Sequence, residues 1–280
     1  MDWSSPGKGP KRRAGRRSAA PGPSEVRTPP TSSRIQGPEF THATPWPHRH
    51  RRDGARPTLT VASLGAAAFA GAGDLEVEHL QVFSLPSADL DLGRLLQLRD
   101  AIVTLGSRVD GIVVTHGTDT LEESAFALHL LLKGGPPVVL TGAMRTPDAL
   151  GADGVANLAA AGRVALSPDA RGLGVLVVLN DEIHSAALVR KVHSSRPSAF
   201  SSAPLGPLGW VSEDRVRILL HPAPATLRTL PAGEQVPHVA VLPLHADTPA
   251  SLLKAAAAAG AGLVVELFGA GHAPARPGPG

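Results

Sequence analysis

At 280 residues, 42% of them apolar, the chain is long enough for one large domain or for a domain with a smaller companion. Cysteine is absent, which excludes disulfides, a thiolate nucleophile and Cys-ligated zinc, and no apolar run approaches the length that spans a bilayer. The net charge of +3 divides into +8 up to Arg56 and −5 beyond it, so the basic character belongs to an arm and argues against nucleic acid as a partner of the folded part.

Residues 1–56 are dense in Pro, Ser, Arg and His and show no apolar period of 2 or 3.6, so the expectation is a disordered basic arm. His42, His48 and His50 lack carboxylate company and read as part of that tail rather than as a metal cluster. The arm has no apolar segment of the secretory kind, and a cytoplasmic protein is expected. Beyond Pro57 the pattern becomes regular: a half-buried strand at 75–82, an amphipathic helix at 90–105, a strand at 111–115 and a helix at 121–132. A strand at 137–141, a helix at 154–165 and a strand at 174–179 follow. Apolar strands alternating with helices imply βαβ units, hence an α/β domain (57–203) with a doubly wound parallel sheet. A linker is expected over 204–237, with a short strand at 214–220, and then a smaller α/β domain (238–280): strand 238–244, alanine-rich helix 250–259, strand 263–268.

Three predicted strand ends carry polar or glycine-rich turns: His116-Gly117-Thr118-Asp119, Gly142-Ala143-Met144-Arg145 and Asn180-Asp181-Glu182. Ligands of open α/β sheets bind outside the carboxyl ends of the strands, so adjacent strands would bring these turns to one crevice. Thr120 and Glu123 fit a capping box, in which both side chains satisfy orphan N–H groups at the helix start. That leaves Thr118 and Asp119, a hydroxyl and a carboxylate at the end of a buried strand, in need of another use. Neither the dinucleotide nor the P-loop glycine pattern follows a strand, which argues against nucleotide binding. A hydroxyl nucleophile at neutral pH needs a base, and a buried lysine can serve. Lys191 is the only lysine between Lys133 and Lys254, on a predicted loop after the 174–179 strand from which it could reach the crevice; the alternative is a solvated surface charge.

Thr115-His116-Gly117-Thr118-Asp119-Thr120 with Glu122-Glu123, followed by Thr141-Gly142-Ala143-Met144-Arg145, resembles the bacterial-type L-asparaginase family. Ala152-Asp153-Gly154 with Asn157-Leu158, Asn180-Asp181, Val189-Arg190-Lys191 and Gly206-Pro207-Leu208-Gly209 continue the likeness in order, over roughly residues 57 to 270. The resemblance implies a homo-oligomeric amidohydrolase that converts L-asparagine to L-aspartate and ammonia through a threonine acyl-enzyme, without metal or cofactor. It assigns Thr118, Asp119 and Lys191 to the family's second catalytic set: the hydroxyl attacks or activates water, the lysine shuttles the proton, and the carboxylate orders the lysine and meets the substrate α-ammonium. Ser87 matches the serine that binds the substrate α-carboxylate, with a turn or helix N-cap as the alternative, and the Ala143 backbone matches a peptide unit beside the scissile amide.

The family opens on a strand ending in Thr-Gly-Gly-Thr, whose first threonine is the usual primary nucleophile, followed by a lid bearing a tyrosine; this chain has neither that motif nor any tyrosine. Ser63-Leu64-Gly65-Ala66 reads instead as the helix that follows the lid. The expectation is therefore a chain whose first strand and lid are absent and whose second domain is truncated, with Asp247 near a position that contributes to a neighbouring subunit's site. Two other classes stay open: a ligand-binding remnant of the same fold, and an amidotransferase-type subunit linked to tRNA.

Overall fold

Three apolar runs fix the centre of the first unit. Gly111–Thr115 (β3), Val138–Thr141 (β4) and Val175–Leu179 (β5) are rich in β-branched residues, and every residue in them is buried. The computed structural model describes residues 34–38, 61–69, 75–222 and 237–274, and the chain divides into two units, Met1–Thr226 and Leu227–Gly280. In the first unit Arg34–Pro38 (β1) and Glu76–Leu80 (β2) join β3, β4 and β5 in a parallel block of order β2-β1-β3-β4-β5. Glu182–Ser185 (β6), Gly209–Ser212 (β9) and Arg215–Ile218 (β10) extend the sheet antiparallel beyond β5. Arg190–Lys191 (β7) and Phe200–Ser201 (β8) form a separate two-stranded ribbon.

Side chains alternate along a strand, and helices cover both faces. Ile112 and Val114 of β3 share one core cluster with Leu98 and Ile102 of helix α2 (Leu92–Leu105) and Leu121, Ala125 and Leu128 of helix α3 (Leu121–Leu131). Val113 lies in the other cluster, with Leu158, Ala161 and Val164 of helix α4 (Gly154–Leu166), against which the end of helix α1 (Val61–Ala68) packs through Ala68. Each fully buried Leu, Ile or Val side chain among these contributes roughly 1.5–3 kcal/mol.

The placement of α4 has a topological meaning. The steps β3 to β4 and β4 to β5 advance in the same direction along the sheet, yet α3 and α4 lie on opposite faces. Two crossovers of that kind have opposite hands. The connections through α1, α2 and α3 share one hand, the right-handed one that about 98% of such units adopt, so the α4 connection is left-handed.

Corrections to the sequence reading concern the flanks. Arg34–Pro38 was expected to be part of a disordered arm, with the first strand absent; instead it forms a strand between β2 and β3. Its own sequence offers one apolar residue, so the order comes from the ladders on either side. Pro38 pairs only with Leu80, beyond the last β3 partner at Gln36, where its missing N–H costs no bond to β3. The basic run 11–17 and His42, His48 and His50 lie outside the described residues. The expected linker 204–237 is also divided: 209–218 is a hairpin of the main sheet, and 223–236 lies outside the described residues.

The second unit comprises Val239–Pro243 (β11), Ala250–Ala259 (α5) and Gly262–Glu266 (β12), with β11 and β12 parallel. This is the expected βαβ unit. Among the described residues no helix is long and apolar enough to cross a membrane.

Candidate active site

The order β2-β1-β3-β4-β5 reverses between β1 and β3, which makes their carboxyl ends a topological switch point, the position where open α/β sheets take their ligands. β3 ends there, and the chain turns through His116-Gly117-Thr118-Asp119 into α3. Backbone approach at this turn is close: a Cβ on Gly142, at the end of β4, would lie 2.4 Å from the His116 carbonyl oxygen and 3.3 Å from Thr118 Cγ2. Only glycine lets the two strand ends meet this way.

Thr118, Asp119 and Lys191 come together. The Lys191 Nζ donates to Thr118 Oγ1 at 3.0 Å and to Asp119 Oδ1 at 3.2 Å, across 73 and 72 residues of sequence. Thr118 is buried, the Lys191 side chain is 17% exposed and that of Asp119 44%. The ammonium is therefore largely withdrawn from water while its carboxylate partner reaches solvent. The alternative of a solvated surface lysine is excluded.

The route to this contact differs from the expected loop. Asn180 and Asp181, both at positive φ (50° and 62°), close a tight hairpin from β5 into β6, as the primed turns of hairpins require. The chain descends β6, buries Ala186 and Val189 against the α2/α3 cluster, and only then presents Lys191 from β7.

Thr120 and Glu123 do not form the expected capping box: no side chain caps α3. Thr120 Oγ1 instead donates to the Ser87 carbonyl at 2.8 Å, 33 residues back in sequence. This bond ties the Ser87 turn to the segment that carries Thr118 and Asp119. Ser87 opens a 3-10 turn and is not the cap of α2; that cap is Asp91, which accepts from Arg94 N at 2.8 Å. The Ser87 side chain is buried and its Oγ has no hydrogen-bond partner among the described residues. A buried hydroxyl without a partner is costly unless something else meets it.

A carboxylate and an amide to which the sequence reading gave no role, Asp153 and Asn157, organise the Ala143 turn. Asp153 accepts from Met144 N at 3.0 Å and from Arg145 N at 2.9 Å. Asn157 donates to the Gly142 carbonyl at 2.9 Å and to Asp153 Oδ2 at 3.1 Å, while its Oδ1 accepts from Asn180 N at 2.9 Å. One buried side chain thereby locks the ends of β4 and β5 to the start of α4. The signal that could have found it is an Asn and an Asp four residues apart at a helix start, a spacing that puts both on one face.

His116 is fully buried, and burial holds its imidazole down to about 4, against the weaker opposing effect of its bond to the Gly117 carbonyl at 2.6 Å. The residue two before Thr118 is thus neutral at pH 7. β1, at the switch point, carries no hydroxyl side chain between Arg34 and Pro38. Among the described residues no group of three His, Asp or Glu could hold a metal ion.

A family model described as Asparaginase, N-terminal matches residues 48–224. The chain is 36% identical over 208 residues to an L-asparaginase of Bacillus licheniformis, covering 72% of this chain and 63% of that protein. It is 47% identical over 137 residues to a glutaminase-asparaginase of Pseudomonas fluorescens, covering 48% and 38%. It thus spans less than two thirds of the length of these curated relatives. A crystal structure of a probable cytoplasmic L-asparaginase from Campylobacter jejuni superposes with a TM-score of 0.74 at 31% identity, covering 86% of this chain and 76% of that one.

Proposed function

The chain belongs to the asparaginase family, and from that premise we propose that it hydrolyses the side-chain amide of L-asparagine to L-aspartate and ammonia. One observation carries the reading: an amine within hydrogen-bond distance of both a buried threonine hydroxyl and an aspartate at the sheet's switch point. Lys191 takes the Thr118 proton while Oγ1 attacks the amide carbon. The proton passes to the departing nitrogen, which leaves as ammonia. Water then attacks the acyl ester, its proton returns through Lys191 to Oγ1, and aspartate departs. Asp119 holds the amine and, with its exposed oxygen, meets the substrate α-ammonium. The unpartnered Ser87 hydroxyl binds the α-carboxylate, and the Ala143 peptide, fixed by Asp153 and Asn157, lines the pocket beside the scissile bond. The chemistry requires no cofactor. We take the protein to be a cytoplasmic homo-oligomer, a location in keeping with its likeness to the probable cytoplasmic L-asparaginase from Campylobacter jejuni.

The test is ammonia release from L-asparagine, with L-glutamine alongside. Thr118→Ala and Lys191→Ala each lower kcat at least ~100-fold, about 2.7 kcal/mol, with unchanged far-UV dichroism. Full rate in either variant removes the assigned roles. A second reading, a ligand-binding protein without turnover, is favoured by a β1 that carries no hydroxyl. Calorimetric binding of L-aspartate with no ammonia release would select it.

A further inference from the structure

Lys191 sits on a two-residue strand, so something other than its own ribbon must aim it. In the β7/β8 pair, Lys191 stands opposite Phe200, and the next residue's Val192 N donates to the Ala199 carbonyl at 2.7 Å. Hydrogen-bonded and non-bonded positions alternate in an antiparallel pair, so the Lys191 N–H points away from β8. It donates to Glu122 Oε2, in the first turn of α3, 69 residues away in sequence. The other carboxylate oxygen lies 3.6 Å from Arg190 Nη1. Arg190 is 78% exposed, which makes that pair a weak surface contact, whereas Glu122 is 22% exposed.

We infer that Glu122 is a positioning residue: its side-chain oxygen grips the backbone of Lys191 and so fixes the Nζ between Thr118 and Asp119. The inference rests on the reading of Lys191 as proton carrier. Glu122 and Thr118 are four residues apart, across the start of α3, so the gripping carboxylate and the targeted hydroxyl belong to one short segment. A shift of β7 by an ångström would separate amine and hydroxyl, and misplacement of that size costs about 100-fold in rate.

Two variants separate reach from charge. Glu122→Gln loses the charge and keeps an oxygen acceptor at full length. Glu122→Asp keeps the charge at the helix start and withdraws the oxygen by about one bond length, ~1.5 Å. We expect Glu122→Gln to retain kcat within about 3-fold, and Glu122→Asp to lose roughly 10- to 100-fold in kcat with KM held within about 2-fold. A second readout needs no turnover: acetic anhydride labelling of Lys191, read by mass spectrometry against the exposed Lys133 of the same unit. Labelling of Lys191 relative to Lys133 rises at least ~3-fold in Glu122→Asp and stays near the parent in Glu122→Gln. An Asp variant like the parent, or a Gln variant as impaired as the Asp variant, overturns the inference. A parent that releases no ammonia defeats the proposed function and leaves the labelling result to decide Glu122.

Discussion

The two units answer the same sequence pattern differently. In the first, strand–helix–strand runs produce β3, β4 and β5, in which every residue is buried, with helices on both faces. In the second, the same run produces β11, α5 and β12, in which no residue is buried; Val241 is 68% and Val264 53% exposed. Apolar period alone fixes the element, and only helices on both faces turn it into a core. Burial decides which of the two units carries the stability.

The largest break in this contrast is Leu140→Ala. Leu140 is wholly buried in β4, so the substitution costs about 2–5 kcal/mol in denaturant unfolding. Acid gives the next largest effect. His116 and His184 both lie in the first unit, and burial lowers each imidazole from 6.5 to about 4. His184 faces Ser202 at 3.0 Å and Glu182 at 3.3 Å, but desolvation outweighs that carboxylate. Because the folded values lie below the unfolded one, the unfolded chain binds more protons between pH 6.5 and 4. Stability therefore falls as pH drops through that window, by about 2 kcal/mol for each histidine at pH 5. The second unit's His238, His245 and His272 are exposed, so hydrogen exchange should show its protection less affected by acid than that of β3–β6.

Asn157→Ala ranks third. It leaves the Asn180 N–H and the Gly142 carbonyl without their partner, at about 1–3 kcal/mol, and lowers activity more than its stability loss explains. Thr120→Val, which frees the Ser87 carbonyl, is expected to raise KM several-fold with a smaller change in kcat. Smallest is Val241→Ala on the exposed face of β11, within about 0.5 kcal/mol in the same unfolding assay. A cost equal to that of Leu140→Ala would show that this face is covered in solution.

The strands from β3 to β5, helices α2 to α5 and the βαβ of the second unit were legible because each carries a long period that burial rewards. β1 was not, because Ile35 alone marks it and its order comes from β2 and β3. The hairpin β9/β10 was hidden by Gly-Pro turns that read as a linker. In the site, Thr118, Asp119 and Lys191 were found through a strand end and a lone lysine. Thr120 was misread as a cap because a capping box and a long-range tether use the same residue type. Glu122, Asp153 and Asn157 act through backbone groups of distant turns, a relation that only tertiary structure creates.

The 73 residues between Thr118 and Lys191 have a consequence in time. At a synthesis rate of about 5–20 residues per second, the hydroxyl precedes its amine by on the order of ten seconds. The Thr118–Lys191 contact is missing over that interval. The contact forms only when the β6 descent and the β7 return are in place, while the β9/β10 hairpin of the same sheet is still to be made.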